Sequence, residues 1–234
     1  VLQILRVNKK YIMLGIFVLT VFDLFYFFQK ITPFSPQVAV YPKTEVFTFL
    51  SRTQEIDRSW GYGSGYIEPN IHTHEKLYTT DGYDALHIKR YGEFLSASKK
   101  GLISSVIPGA DANIAGGYGD EDLRRNQYRQ KILNILGVKY VLNKKGSGSD
   151  GAFDGNTYTL VWEKDNWQIY ENKKALPRIF LAQTYVVEKE KNIIIQKLFS
   201  ADFDTSNSVI LEEQPPIPSN ENVPLPGFVS LVSY

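Results

Sequence analysis

His72 and His74, separated by one residue, have the only spacing in the sequence that suggests a metal site. On a β-strand both rings would lie on one face, where Glu75 and His87 could complete a ligand set. The alternative is a pair of exposed histidines in a polar loop. No residue that would orient the rings can be named, so we favour the loop and predict no metal site.

Other chemical motifs are incomplete. Asp150, Asp154 and Asn156 resemble a calcium loop in composition, but the EF-hand spacing and its terminal glutamate are missing. The glycine-rich stretch 61–65 lacks the Gly-Lys-Ser/Thr ending of a phosphate-binding loop. Its central residue is Gly63, where a nucleophile elbow needs serine. The sequence has no cysteine, which excludes disulfides, thiolate metal sites and a cysteine nucleophile.

Two further features could serve sugar chemistry. The sequence has 25 Asp plus Glu, enough for an acid and base pair, but nothing indicates which two would approach each other. Four aromatic residues could stack on sugar rings or belong to the core and its rim: Trp60, Tyr62, Tyr66 and Tyr83. Both interpretations stay open, and no catalytic residue is predicted.

The composition limits the class of protein. The 234 residues carry 26 Lys plus Arg against 25 Asp plus Glu, a net charge of +1. A nucleic-acid-binding protein needs a dense basic surface, so we predict no nucleic-acid partner. The length allows one or two domains, each with a real core.

A continuous apolar run, Tyr11 to Phe28, predicts a transmembrane helix and therefore the lipid bilayer as a partner. As a helix it would be about 27 Å long, close to the hydrocarbon thickness of a bilayer. A signal peptide would have a shorter apolar stretch and a small-residue cleavage site, and neither is visible. Arg6, Lys9 and Lys10 precede the run, whereas only Lys30 follows it closely. The positive-inside rule therefore predicts a cell-membrane protein with a cytoplasmic N-terminal end and extracytoplasmic residues after about 30.

Asp23 is unusual because a carboxylate inside a membrane helix is costly and usually faces protein or water. It could lie near the headgroups at the outer end of the helix, or contact a bundle of other membrane helices of the same protein. Both interpretations stay open. The sequence opens on Val1 and its only methionine is Met13, inside the apolar run, so we expect a longer protein.

The pattern after the apolar run predicts an α+β fold, with a mixed α/β extracytoplasmic domain that becomes β-rich in its C-terminal half. We expect a membrane segment at 1–30, a proline-rich connector at 31–43, an α/β part at 44–143 and a β-rich part at 144–234. We predict a turn at Pro69-Asn70 and a flexible loop at 144–156. The predicted helices cover 44–51, 84–98, 120–136 and 193–199. The predicted strands cover 58–62, 138–142, 158–162, 167–170, 178–188, 208–212 and 228–234. The last strand needs a partner, so we expect the domain to continue past Tyr234.

The order of these features resembles the C-terminal part of the bacterial YfhO family of polytopic membrane proteins. The resemblance begins with the apolar helix and its late Asp23, and its most specific piece is the stretch Leu133 to Tyr140 (LNILGVKY). The other matching pieces are Tyr41 to Thr44 (YPKT), Arg58 before the glycines, Pro69-Asn70, Asp81 to Asp84 (DGYD), Lys89 to Tyr91 (KRY), Trp167 to Asn172 (WQIYEN), Leu176 to Arg178 (LPR) and Ala201 to Asp204 (ADFD).

The resemblance implies that the parent protein is similar to GT-C glycosyltransferases, which use a lipid-phosphate-linked sugar donor at the outer membrane face. Their catalytic acidic residues lie in an early extracytoplasmic loop with no counterpart here, so no catalytic residue or cofactor is carried over. The chain would be an accessory, non-catalytic portion, with upstream membrane helices and a glycolipid or cell-envelope polymer as partners. The alternatives are a membrane-tethered glycan- or protein-binding module without transferase activity, and an independent exported hydrolase or metal enzyme.

Within this hypothesis, five residues in the loops of the first half of the domain are candidate ligand contacts: Arg58, Asn70, Asp81, Tyr83 and Arg90. Arg58 or Arg90 could bind a phosphate. Each arginine could instead pair with Asp81 or Asp84, and a structural role is the alternative for all five.

Overall fold

A computed structural model describes residues 8–31, 36, 41, 43–107, 111–216, 229 and 232. The chain divides into two compact units, Val1–Lys43 and Thr44–Tyr234. Most of the proline-rich connector at 31–43 and of the strand predicted at 228–234 lies outside the described residues.

Among its described residues, the first unit has the helix α1 (Lys9–Ile31), which confirms the helix predicted from Tyr11 to Phe28. Its side chains are exposed along its whole length. The hydroxyl of Thr20 donates to the carbonyl oxygen of Ile16 at 2.9 Å, which satisfies a polar group inside the apolar run. Among the described residues, α1 alone is long and apolar enough to span a membrane. The role of Asp23 stays a prediction.

The second unit is α+β, as predicted. Its helices are α2 (Glu45–Thr53), α3 (Pro69–His74), α4 (Lys89–Ser96), α5 (Asp120–Arg125), α6 (Gln127–Ile135) and α7 (Lys191–Phe199). Its strands are β1 (Arg58–Gly61), β2 (Gly82–Tyr83), β3 (Asp111–Ala112), β4 (Val138–Lys144), β5 (Tyr158–Lys164), β6 (Trp167–Asn172), β7 (Thr184–Val187) and β8 (Ser208–Leu211).

The largest sheet has the strand order β1-β4-β6-β5. β1 pairs with β4 in parallel, and β4, β6 and β5 pair antiparallel. β5 and β6, which match the strands predicted over 158–162 and 167–170, form a hairpin. Its loop contains Asp165 at φ +54°, a backbone conformation that tight hairpin loops require. Since β4 pairs with β6, the parts at 44–143 and 144–234 share one sheet. Two smaller sheets pair β2 with β3 and β7 with β8.

The sheet has a hydrophobic cluster on each face. On one face Val46, Phe47 and Leu50 of α2 pack with Leu142 of β4 and Ile169 of β6. Thr44 begins α2 as predicted, since its hydroxyl accepts a hydrogen bond from the backbone N–H of Phe47. The second cluster joins the sheet to α4, α5 and α6, and includes the buried residues Trp60, Tyr62, Leu95, Leu123, Ile132, Leu133, Val138 and Val141.

The continuous helix predicted over 120–136 is wrong, because the chain forms α5 and α6 with a break at Asn126. The backbone of Asn126 is non-helical, at φ −84° and ψ 83°. Its side-chain oxygen accepts from the backbone N–H of Arg129 at 3.0 Å, so it begins a new helix. Local capping by the asparagine side chain therefore overrides the apolar periodicity across this position.

Other predicted boundaries are corrected in the same way. The helix expected over 84–98 extends only over Lys89–Ser96, because Asp84 accepts from the backbone N–H of Leu86 at 2.8 Å and forms a turn instead. The turn expected at Pro69-Asn70 is the start of α3, where proline fits the first helical turn. The strand expected over 178–188 is reduced to Thr184–Val187.

Substitution of Gly65 tests whether the glycine-rich turn at 61–65 packs closely on the sheet. A Cβ at this position would lie 2.4 Å from the Leu142 carbonyl oxygen and 2.9 Å from Cα of Asn143, both in the central strand β4. Strand pairing on both sides holds that backbone, so we expect Gly65→Ala to lower the free energy of unfolding by about 2–3 kcal/mol.

Gly155→Ala is the matched control, because nothing lies within 4 Å of its Cβ position. Its effect is expected within about 0.5 kcal/mol. Urea unfolding of the full chain in detergent micelles measures both variants. Equal midpoints for the two variants would show that the turn does not pack on β4 as described.

Candidate functional site

A cleft of about 370 Å³ opens beside α4, and we call it the α4 cleft. One wall is formed by Gly92 and Ser96 of α4 and by Lys99 just after it. Ser104 and Val106 also line the cleft, and the backbone N–H of Ser104 donates to the Ser96 hydroxyl. The floor is the segment 113–116, which continues directly from β3.

Three buried side chains hold the floor of the cleft from behind. Asp81 accepts a hydrogen bond from the backbone N–H of Ile114 at 2.9 Å. The hydroxyl of Ser98 accepts from the N–H of Ala115 at 2.8 Å. Arg129 donates to the carbonyl oxygens of Ala115 at 2.7 Å and Gly116 at 2.8 Å. The floor is therefore fixed by hydrogen bonds to both its donors and its acceptors.

Arg129 is the most buried charged group of this arrangement, with 2% of its surface exposed. Its Nη1 lies 2.6 Å from Oδ2 of Asp122, which supplies the opposite charge that a buried guanidinium requires. The planar guanidinium group therefore contacts one carboxylate and two carbonyl oxygens at once. A Cβ on Gly117 would lie 1.8 Å from Asp122 Oδ2, so a side chain at this position would have to displace the ion pair.

Tyr62 connects the ion pair to the sheet. Its hydroxyl donates to the Gly119 carbonyl oxygen at 2.7 Å and accepts from the N–H of Leu123 at 3.2 Å. Burial, and then the negative charge of Asp122, raise the pKa of Tyr62 to about 12. The phenol therefore stays a neutral hydrogen-bond donor at physiological pH, and it anchors the start of α5 on the sheet.

Asp81 is a buried carboxylate, with 8% of its surface exposed. Burial raises the pKa of Asp81 to about 6, while hydrogen bonds from the Ile114 N–H and from Thr80 and Trp60 oppose the rise. The neighbouring Tyr91 hydroxyl donates to the carbonyl oxygen of Thr80 at 2.6 Å. The acid is therefore enclosed by its own domain and supports the cleft from inside.

Few polar groups among the described residues of the cleft lack a hydrogen-bond partner within the domain. Oδ1 of Asn113 is shielded from solvent and has no hydrogen-bond partner. Lys99, which is exposed and carries an ammonium group, lines the wall of the cleft. Ser96 is already engaged, because its hydroxyl donates to the carbonyl oxygen of Glu93 and accepts from the N–H of Ser104. A cation and an amide suit a phosphate or a sugar hydroxyl, and neither is a general base.

The structure separates the five predicted contact residues. Arg58 and Asp81 both lie close enough to Tyr91 for their charges to shift its pKa, which burial raises to about 12. Nη1 of Arg58 donates to the carbonyl oxygen of Leu136 at 2.6 Å. Asn70 is exposed on α3, and Tyr83 is 59% exposed on β2. Arg90 forms an exposed ion pair with Glu212.

The histidines lie on helix α3, not on a strand or a loop. His72 is buried, which corrects the expectation of two exposed rings. Burial lowers the pKa of His72, and its interaction with the backbone of Glu68 partly opposes this shift. His74 is exposed, with Nε2 3.8 Å from Glu75. Positions two apart on a helix point in different directions. In the described parts of the chain, no three His, Asp or Glu side chains are grouped to hold a metal.

Of the aromatic residues that could stack on sugars, Trp60 and Tyr62 belong to the core, with 2% and 0% of their surfaces exposed. Tyr66 and Tyr83 are exposed. The sequence interpretation missed Arg129, although it lies three, four and seven residues before the apolar positions 132, 133 and 136. A charged residue in the register of a buried stripe is a signal that could have found it.

Comparisons with protein-family models, with curated proteins and with solved structures gave no match to the chain. The resemblance to the YfhO family therefore rests on the sequence features alone.

The buried carboxyl group of Asp81 makes the free energy of unfolding depend on pH. The variant Asp81→Asn, which cannot titrate at this position, separates this contribution from the others. The native pKa of Asp81, about 6, exceeds the unfolded value near 3.8, so the native state retains a proton that the unfolded state releases between these values. The stabilisation is complete below about pH 4 and is lost as pH rises through 6. Relative to Asp81→Asn, we expect the wild type to lose about 2 kcal/mol between pH 4 and pH 7.

Urea unfolding of both full-length proteins in detergent across this pH range measures the effect. The difference between the two proteins cancels other groups that titrate, such as His72. A difference that stays constant with pH would mean that Asp81 is not held in a desolvated site.

Proposed function

We propose that this chain is the membrane-anchored, extracytoplasmic accessory portion of a protein that transfers sugar from a lipid-phosphate-linked donor to a cell-envelope acceptor. The chain performs no chemical step and binds the polar end of the donor or acceptor. The observation that carries the proposal is the α4 cleft, whose hydrogen-bonded floor, exposed Lys99 and unpartnered Asn113 Oδ1 suit a phosphate or a sugar.

The cleft supports binding more than catalysis. Lys99 offers a mobile positive charge to a phosphate oxygen, and Asn113 offers an amide to a hydroxyl. Two carboxylates support the floor and both are engaged: Asp81 is buried and accepts the N–H of Ile114, and Asp122 pairs with Arg129. An acid that is engaged in this way does not protonate a leaving group at the open face.

The apolar helix α1 supports a position at the membrane, where a lipid-linked sugar is found. The YfhO resemblance places the catalytic acids upstream, in the same protein. Asp23 would then contact the upstream membrane helices, and the domain after the connector would lie outside the cytoplasm.

The orientation can be tested cleanly, because the sequence has no cysteine. Asn8→Cys and Gly155→Cys place single thiols on exposed residues on either side of α1 in the sequence. In intact cells a membrane-impermeant maleimide is expected to label the thiol at 155 at once and the thiol at 8 only after lysis. The reverse pattern would contradict the proposed topology.

The binding function is tested on the full chain in nanodiscs, with a prenyl phosphate that carries one hexose as the probe. We expect saturable binding that Lys99→Gln weakens about tenfold, because one charge-assisted hydrogen bond to phosphate is lost. Lys174→Gln is the control, since this exposed lysine lies outside the cleft.

Two outcomes separate the alternatives. Equal binding of a phosphate-free oligosaccharide would favour the tethered glycan-binding module without transferase activity. Absence of saturable binding, or equal loss in both lysine variants, would remove the cleft as the functional site.

A further inference from the structure

Two loops beside α4 expose apolar side chains at their tips. Leu86 and Ile88 are 90% and 74% exposed, and Val106 is 74% exposed. We call these three residues the apolar rim. The domain has two well-formed buried clusters, so the rim is not a remainder of an incomplete core. Other large apolar side chains of the described residues 44–216 are also exposed, such as Leu102 at 58% and Leu181 at 54%, but the three rim residues are the most exposed among them. Apolar side chains exposed to this degree at loop tips mark a contact surface.

The two loops meet over one glycine of α4. A Cβ on Gly92 would lie 2.8 Å from Nε2 of His87 and 3.0 Å from Cγ2 of Ile107. His87 lies between Leu86 and Ile88 in the sequence, and Ile107 follows Val106. The absence of a side chain at position 92 therefore allows both loops to approach each other, which brings the rim residues to one side of the domain. Val106 also lines the α4 cleft.

Positive charge accompanies the rim. Lys89 follows Ile88 directly, and Lys99 and Lys100 follow α4. In the described residues, no ion pair involves any of these three lysines. The neighbouring charges are engaged elsewhere, since Arg90 pairs with Glu212 and Glu93 pairs with Lys191. Asp84 is the remaining carboxylate of the segment 82–107, and it accepts the backbone N–H of Leu86.

We propose that the apolar rim is a membrane-contact surface that inserts at the headgroup level of an anionic bilayer. Apolar tips with flanking lysines are the pattern by which a protein surface lies on such a bilayer, since the tips leave water and the ammonium groups bind anionic headgroups. The inference rests on the proposed membrane anchoring by α1. Residues 32–44 separate α1 from α2, and an extended chain of this length reaches at most about 47 Å.

Contact of the apolar rim with a bilayer would decide which class of ligand reaches the α4 cleft. Because Val106 belongs both to the rim and to the cleft, docking would bring the mouth of the cleft to the plane of the lipid phosphates. The cleft would then receive ligands from the membrane surface, and a lipid-phosphate-linked sugar presents its polar part at that depth.

The test uses the cysteine-free full chain in nanodiscs, with a single thiol at position 88, 106 or 155 that carries an environment-sensitive fluorophore. In anionic lipid, Ile88→Cys and Val106→Cys are expected to show blue-shifted emission and at least about threefold less quenching by aqueous iodide than Gly155→Cys. Adding Lys89→Gln and Lys100→Gln, or raising the salt concentration, is expected to restore most of the quenching. These two lysines do not line the cleft.

Two results would overturn the proposal. One is equal quenching at positions 88, 106 and 155 in anionic lipid. The other is protection that persists in detergent micelles and rises with protein concentration, because it would identify a second copy of the chain as the occupant.

The failure of this inference is distinguishable from failure of the proposed function. Protected labels together with absent hexose-lipid binding would retain the docking surface and remove the ligand. Unprotected labels together with Lys99-dependent binding would retain the ligand site in the cleft and remove the docking surface.

Discussion

The buried contact of Arg129 with Asp122, Ala115 and Gly116 is the interaction on which the half of the domain around the α4 cleft depends. A guanidinium with 2% exposure is costly unless its donors are paired, and here it reaches one carboxylate and two carbonyl oxygens. The carboxylate belongs to α5, the guanidinium to α6, and the carbonyls to the floor of the α4 cleft. One side chain therefore connects two helices to a loop that has little regular structure of its own.

This arrangement explains how a small domain can hold the floor of a cleft in place with buried hydrogen bonds. Asp81 and Ser98 complete the support of the floor from the side of β2 and α4. What remains open is a lysine and an asparagine, next to an apolar rim. The proposed roles follow from the same geometry: the helix holds the chain in the membrane, the rim lies on the bilayer, and the cleft binds the polar group presented there.

The sequence was informative where structure is decided locally. Helix α2, strand β4 and the β5–β6 hairpin follow from capping, apolar runs and turn residues that lie within a few positions of each other. Periodicity misled at Leu86 and Ile88, which have helical spacing but are exposed because Asp84 forms a turn. The cleft could not be predicted, because its floor depends on partners such as Asp81 and Ile114 that are 33 residues apart.

The central claim is tested most directly by amide hydrogen exchange in Arg129→Lys, measured on the full chain in detergent micelles. Lysine keeps the charge beside Asp122 but loses the planar fork that reaches both carbonyls. The account predicts that amides of the segment 113–119 exchange at least about tenfold faster, while β4 and β6 keep their protection. Unchanged exchange in that segment would contradict the claim that Arg129 holds the floor of the cleft.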